Sequence, residues 1–138
     1  MTTARRSCLV PSPSGFLPEE MLMIEEKDLE VLRVYVNGGD LHRHRPVYEL
    51  IVEEAQRQGL AGATVLKGIM GYGPDGRIHA ARPLRLVEDL PVVVELVDAA
   101  EKLDVFMGFV NEVLGEGYAT REKVASRRYR KGERSPGE

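Results

Sequence analysis

The stretch VVVELV, from Val92 to Val97, determines the fold expected for this sequence of 138 residues. Its β-branched residues predict a strand, and apolar side chains at successive positions are typical of a strand covered on both faces of its sheet. Asp98 and Glu101 follow at the spacing of a helix N-cap and its capping-box partner. Helical spacing then places on one face of the predicted helix the apolar residues Leu103, Phe106, Met107, Val110 and Leu114.

The same alternation of strand and helix occurs once before this stretch. VLRVYV predicts a strand, because β-branched and aromatic residues follow one another without a breaker. A helix with apolar residues at helical spacing follows and ends at Gly59, a residue type that often terminates helices. The predicted elements are a strand at Val31–Val36, a helix from Pro46 to Gly59, a strand at Ala63–Met70, a third strand joining Leu84–Val87 to Val92–Val97 through a bulge, the second helix, and a last strand at Val124–Tyr129.

This order of elements predicts an α+β fold. Two consecutive βαβ halves give a ferredoxin-like βαββαβ sandwich, with a four-stranded antiparallel sheet and two helices on one face. Because the strands are apolar on both faces, we expect another subunit to cover the second face. Residues 23–130 would form the domain. Residues 1–22 are rich in Ser, Pro and Arg and predict a disordered extension, and residues 131–138 predict a polar tail.

The composition excludes several classes of function. The net charge of −3 argues against a general polyanion binder, and VVVELV lacks the aromatic residues on which an RNA-binding sheet stacks bases. We therefore expect no nucleic-acid partner. The one cysteine, Cys8, cannot form an intrachain disulfide, and no apolar run approaches the roughly 18 residues that a membrane span needs. We expect a cytoplasmic protein that does not insert into membranes.

The segment GYGPDGRIHAARP, residues 71–83, is longer than a hairpin needs. Its first glycines fit G-x-G-x-x-G, but a strand follows them where a dinucleotide-binding fold requires a helix. The sequence therefore indicates a loop long enough to fold over a ligand or partner, with three candidate residues in it, Arg77, His79 and Arg82.

Catalytic and metal-binding patterns are weak. No nucleophile lies in a recognisable motif, so no catalytic residue and no enzyme activity are predicted. His42 and His44 lie two residues apart and with His79 could ligate a metal, but no carboxylate or cysteine stands at a diagnostic spacing. We therefore predict no metal site. A metal-binding protein or enzyme using His79 with His42 or His44 remains one alternative, and a structural or interaction trimer without ligand is another.

Two stretches, GLAGATVLKGIMGYG and EDLPVVVELVD, carry a resemblance that extends over Val31–Tyr129. They resemble the PII-like signal-transduction family, especially its bacterial and archaeal branch labelled as a domain of unknown function. This resemblance implies a homotrimer whose sheets face inward and whose ligand clefts lie between subunits. It also implies adenine-nucleotide binding and a switch loop, here residues 71–83, that engages a regulated protein such as a membrane transporter or channel.

The resemblance also implies site residues. Gly71, Tyr72 and Gly73 match the base of the switch loop, Thr64 matches a threonine near the adenine pocket, and Arg128 and Arg130 match arginines that approach phosphates. Two cations of the family pattern are missing. Val92 replaces a lysine, and the segment 115–121, which matches the family's phosphate loop, contains no lysine. AMP, ADP or a related small anion is therefore the expected regulatory ligand, and no permanent cofactor is expected.

Overall fold

The computed structural model describes residues 6–11, 21–80 and 90–131. They belong to two compact units, a larger one of residues 30–123 and a smaller one drawn from residues 1–29 and 124–138. In chain order, the elements are β1 (Arg6–Pro11), β2 (Met21–Asn37), β3 (Leu41–His42), β4 (Arg45–Pro46), α1 (Val47–Arg57), β5 (Gly62–Lys67), β6 (Met70–Gly71), β7 (His79–Ala80), β8 (Pro91–Asp98), α2 (Ala100–Val113) and β9 (Tyr118–Lys131).

The larger unit contains a four-stranded antiparallel sheet in the order β9-β2-β8-β5. Strand β8 runs antiparallel to both neighbours, and Val94 lies opposite Val34 on one side and Val65 on the other. With helices α1 and α2, this sheet is the predicted α+β ferredoxin-like βαββαβ sandwich. The prediction from the strand order is therefore confirmed.

The core lies between the sheet and the two helices. Along β8, Val92, Val94 and Leu96 are buried and alternate with half-buried residues, because successive side chains of a strand point to opposite faces. Ile51 of α1 and Phe106 of α2 are completely buried in the same cluster. Burial of each such side chain contributes about 1.5–3 kcal/mol, so this one face of β8 is a main source of stability.

Helix α1 ends as its sequence predicts. Gly59 adopts a left-handed conformation with φ +72°, which a glycine accepts without steric cost. The Leu60 amide donates to the Ala55 carbonyl at 3.0 Å, and the Gly59 amide donates to the Gln56 carbonyl at 3.1 Å. These two bonds form a Schellman motif, which satisfies carbonyls that the helix end leaves unpaired.

The predicted N-cap of α2 is wrong. The helix begins at Ala100, and Ala99 occupies the N-cap position without any side-chain capping bond. Asp98 is instead the buried end of β8, with only 5% of its surface exposed. One of its oxygens accepts from the Ala99 amide at 2.6 Å and the other from the Ala61 amide at 2.9 Å. The carboxylate thus joins β8 to the segment before β5, and the two bonds provide the partners that a buried polar side chain needs.

Two strands are longer than predicted. Strand β2 begins at Met21 and β9 at Tyr118, before the expected starts at Val31 and Val124. In the smaller unit, β1 pairs antiparallel with the first residues of β2, so residues 6–11 form a strand where a disordered extension is expected. Pairing depends on backbone groups, so a polar composition does not exclude it.

Within the smaller unit, side chains also contribute to the pairing of its strands. The Ser126 hydroxyl donates to the Lys27 carbonyl at 2.8 Å, and Arg127 forms an ion pair with Glu26. The predicted strand at 84–87, Arg82 and the tail from residue 132 onward lie outside the described residues. Among the residues that the structure describes, no helix has the length and apolarity required to cross a bilayer.

Substitution of Asp98 tests its role in the fold. Asp98→Ala should lower the free energy of unfolding by about 1–3 kcal/mol in urea titrations, because the Ala61 and Ala99 amides lose their acceptor. Glu101→Ala is the matched control and should change it by less than about 0.5 kcal/mol, since Glu101 is exposed. Equal losses in the two variants would contradict this assignment and favour the capping box.

Candidate functional site

A cleft of about 280 Å³ lies at one end of the sheet in the larger unit. Four segments that are distant in sequence converge there: the end of β2, the chain from β5 into the 73–76 turn, the start of β8, and the residues before β9. The described residues that line it are Tyr35, Val36, Asn37, Asp40, Gly68, Met70, Gly71, Tyr72, Gly73, Pro74, Asp75, Pro91, Val92, Val93, Glu116, Gly117 and Tyr118.

One wall of the cleft depends on two glycines that pass over Pro91. The Gly68 amide donates to the Pro91 carbonyl at 2.7 Å. A Cβ at Gly68 would lie 2.9 Å from the Pro91 ring, and one at Gly71 would lie 3.2 Å from it. A side chain at Gly68 would therefore displace the Pro91 ring, and one at Gly71 would crowd it. Gly73 differs, because a Cβ there would meet nothing within 4 Å, and its backbone is open to a ligand.

The opposite wall depends on Gly117. Its φ is +141°, a conformation that other residues rarely adopt, and a Cβ would lie 2.5 Å from the Tyr35 carbonyl oxygen. The segment before β9 therefore packs backbone to backbone against β2. This close approach sets the position of the next residue, Tyr118, beside Tyr35.

Tyr35 and Tyr118 form an aromatic pair at the cleft. Their ring centroids lie 4.6 Å apart and the ring planes differ by 15°, so the rings are stacked. Tyr118 retains 46% of its surface exposed. The pair therefore offers a flat apolar surface at the edge of the cleft, and stacking of this kind contributes about 0.5–1.5 kcal/mol beyond area burial.

The charged residues of the cleft are acidic. Asp40, Asp75 and Glu116 line it, and its described lining residues include no Lys, Arg or His. Asp40 accepts from the Asn37 amide at 3.0 Å, and Asp75 accepts from the Arg77 amide at 2.9 Å. Each of these two carboxylates stabilises a turn through one oxygen and retains further acceptor capacity.

Arg121 follows the cleft residue Tyr118 by three positions, and it belongs to a separate ion-pair network. It contacts Glu30 and lies 2.7 Å from Asp104. The hydrogen bond that the Arg121 guanidinium donates to Asp104 is the main cause that raises its pKa, and the bond to Glu30 adds to it. This side chain does not line the cleft and stabilises the start of β9.

Arg33 belongs to a second network, on the sheet face that the helices leave open. It pairs with Glu122 and, at 3.0 Å, with Glu95. The hydrogen bond to Glu122, followed by that to Glu95, raises the pKa of Arg33. The side chain is half-buried, and it links three neighbouring strands on that face.

The structure brings together some of the predicted site residues. Gly71, Tyr72 and Gly73 line the cleft. Thr64 lies opposite Glu95 on the open sheet face and is not among the described lining residues. Arg128 and Arg130 are exposed residues of β9 in the smaller unit.

The predicted switch loop is a short hairpin where the structure describes it. Strand β6 pairs with β7, so that Gly71 lies opposite His79. The Gly76 amide donates to the Gly73 carbonyl at 2.9 Å, and Gly76 has a φ of +69°. The G-x-G-x-x-G pattern therefore forms a turn, and Arg77 is an exposed residue after it.

His79 is half-buried, and its Nε2 atom has no hydrogen-bond partner among the described residues. His42 lies in β3, and His44 has a φ of +68° in the turn between β3 and β4. Over residues 6–11, 21–80 and 90–131, no group of three His, Cys, Asp or Glu side chains could hold a metal ion. The described residues therefore give no support to the alternative of a metal site.

Sequence reasoning missed the aromatic and acidic lining of the cleft. Tyr35 is recognisable only as a residue of a strand, although alternation with Val34 and Val36 places it on the open face. Tyr118 and Glu116 lie in the segment 115–121, which the family resemblance matches to a phosphate loop. No local pattern indicates that this segment packs beside Tyr35, because the contact joins residues far apart in the chain.

A family model described as "Uncharacterized ACR, COG1993", DUF190, matches residues 29–126. The chain belongs to the DUF190 family. A UPF0166 protein of Aquifex aeolicus is 35% identical to this DUF190 chain over 97 residues, which are 69% of the chain and 90% of the relative. UPF0166 protein MJ1524 of Methanocaldococcus jannaschii is 35% identical over 85 residues, which are 62% and 78% of the two proteins.

The DUF190 chain is also similar in fold to a solved structure. CPII, a nitrogen regulatory PII-like protein from Thiomonas intermedia K12 bound to ADP, AMP and bicarbonate, matches with a TM-score of 0.54 and 13% identity. The match covers 73% of this chain and 97% of CPII. The resemblance derived from the motifs is therefore confirmed: the family is one of unknown function, and its fold is PII-like.

Gly117 provides a test of the cleft wall. Gly117→Ala should lower the free energy of unfolding by about 1–3 kcal/mol, because the new Cβ meets the Tyr35 carbonyl and strains the backbone. Gly115→Ala is the control in the same segment, since a Cβ there meets nothing within 4 Å. Urea titration should show little change for Gly115→Ala, and an equally stable Gly117→Ala would contradict the proposed packing.

Proposed function

We propose that this DUF190 chain is a PII-like regulatory protein that binds an adenine nucleotide at the described cleft and signals through the 71–83 loop. The observation that carries the proposal is the position of the cleft at the base of that loop. Gly71 and Gly73 are part of both, so a ligand in the cleft would contact the segment whose conformation must change.

The ligand class is supported by a structural neighbour. CPII, which has a similar fold, was solved with ADP, AMP and bicarbonate. In this chain we propose AMP or ADP as the ligand. We also propose Arg128 and Arg130 as phosphate-binding residues, because guanidinium groups form charge-assisted hydrogen bonds with phosphates. Both arginines are exposed. Arg33 and Arg121 are less suitable, because each is already paired with carboxylates.

We propose that the protein acts as a homotrimer in which the open sheet faces are buried. Leu66 and Val93 are cross-strand neighbours on that face, and Leu66 is 51% exposed in the single chain. Covering such apolar side chains favours association, and a PII-like trimer would place the cleft at the edge of the subunit interface. Thr64, on the same face, would then approach the ligand from that interface.

Signalling requires a surface that a partner can recognise. Next to the cleft, four large apolar side chains are exposed at 60–82% of their surface: Ile69, Met70, Tyr72 and Ile78. Exposed apolar clusters of this kind favour protein contacts. We propose that a regulated protein, such as a membrane transporter or channel, binds this surface and that nucleotide alters its order. The chain would act as a regulator and not as an enzyme.

Nucleotide binding is tested by calorimetry with AMP, ADP and ATP. AMP or ADP should bind, and Arg128→Ala should weaken binding about tenfold, because a charge-assisted hydrogen bond is lost. Arg57→Ala is the matched control, since Arg57 is a surface residue of α1 paired with Glu54. The nucleotide proposal fails when none of the three compounds binds, or when the two variants have the same effect.

Trimer formation is tested by native mass spectrometry. The unmodified protein should give a trimer, and Leu66→Asp should shift it to monomer, because a charge would be buried at the proposed interface. Val105→Asp is the control, since Val105 is 73% exposed on helix α2 and away from the sheet face. A trimer that survives Leu66→Asp would argue against burial of this face.

A further inference from the structure

The cleft combines a flat aromatic wall with an acidic lining. Tyr118 is stacked on Tyr35 and half-exposed, so one face of an aromatic pair borders the cleft. Asp40, Asp75 and Glu116 are the charged residues of the described lining, and all three are acidic. A phosphate group in this space would meet like charges, which destabilise it more strongly where water is displaced.

The size of the cleft gives a second constraint. Small-molecule sites commonly have volumes of roughly 300–1,000 Å³. At about 280 Å³, this cleft is slightly smaller than that range. It therefore suits a ligand of the size of a base with its ribose better than a complete nucleoside triphosphate.

The polar groups of the lining suit a heteroaromatic ring. The Asn37 side-chain amide can both donate and accept, and the Asp40 carboxylate can accept from ring or exocyclic N–H groups. Asp40 uses one oxygen for the Asn37 backbone amide, so its other oxygen remains a candidate acceptor for a ligand. An aromatic face with nearby donors and acceptors is the arrangement by which proteins bind a nucleobase outside a duplex.

We propose that this cleft binds the uncharged nucleobase end of the ligand, stacked on Tyr118, and that the phosphates remain outside it. This inference rests on the proposed function and adds the orientation of the ligand and the group that provides recognition. It also gives a ranking among ligands. The affinity that the base provides should depend on Tyr118, and additional phosphates should add little affinity within the cleft.

The test compares adenosine, AMP, ADP and ribose 5-phosphate by calorimetry on the full-length protein at low salt. Adenosine and AMP should bind, and ribose 5-phosphate should bind at least tenfold more weakly than AMP. Tyr118→Leu should weaken adenosine and AMP about tenfold, because the stacking surface is lost. Tyr118→Phe is the matched control and should stay within about twofold of the unmodified protein, since it keeps the ring.

Charge is tested separately at Glu116, which is exposed on the cleft. Glu116→Gln should strengthen ADP binding about two- to fivefold relative to adenosine, because one repulsive charge is removed. Glu112→Gln, on an exposed position of α2, removes the same charge away from the cleft and should leave the ratio unchanged. Thermal unfolding of all variants checks that altered binding is not caused by loss of the fold.

The outcomes separate this inference from the proposed function. If AMP and ADP bind but adenosine does not, and Tyr118→Leu has no effect, the base placement is overturned and nucleotide binding stands. Equal binding of ribose 5-phosphate and AMP overturns the base placement in the same way. If adenosine binds with dependence on Tyr118 while AMP and ADP do not, the base site stands and the nucleotide sensor fails. Absence of binding by every compound overturns both.

Discussion

Strand β8 has one face buried and the other left open, and the rest of the larger unit depends on this asymmetry. Val92, Val94 and Leu96 pack under the two helices, whereas Val93 and Glu95 point to the opposite face. A shift of one residue in register would exchange the two sets of side chains, so burial of the first set fixes the pairing with β2 and β5. The fixed register then determines what the open face presents, including the ion pair of Glu95 with Arg33.

The cleft follows from two close backbone approaches at the end of this sheet. Gly68 and Gly71 let the chain cross Pro91, and Gly117 lets the segment before β9 contact the Tyr35 carbonyl. Larger residues would separate these segments, because packed interiors have little free volume. Of the glycines in the G-x-G-x-x-G pattern, Gly71 packs closely on Pro91, whereas Gly73 has no steric requirement in this chain.

Two arginines of the larger unit, Arg33 and Arg121, form ion pairs that stabilise the fold, so they are poor candidates for contacts with a ligand. Arg33 and Arg121 each interact with two carboxylates, and these networks connect β9 with its neighbours in the larger unit. The described lining of the cleft is acidic, in contrast to the basic C-terminal strand.

The sequence by itself determined the order of the elements, the fold class and the end of α1 at Gly59, because each depends on local periodicity or local conformation. The family motif also indicated Gly71–Gly73 as site residues; they line the cleft, and their role in binding stays a prediction. It misassigned Asp98 as a helix cap, since a local spacing cannot reveal that the Ala61 amide lies within reach. Only the tertiary structure decided that Tyr118 stacks on Tyr35 and that acidic residues line the cleft, because the packing of the sheet brings together segments that are distant in sequence.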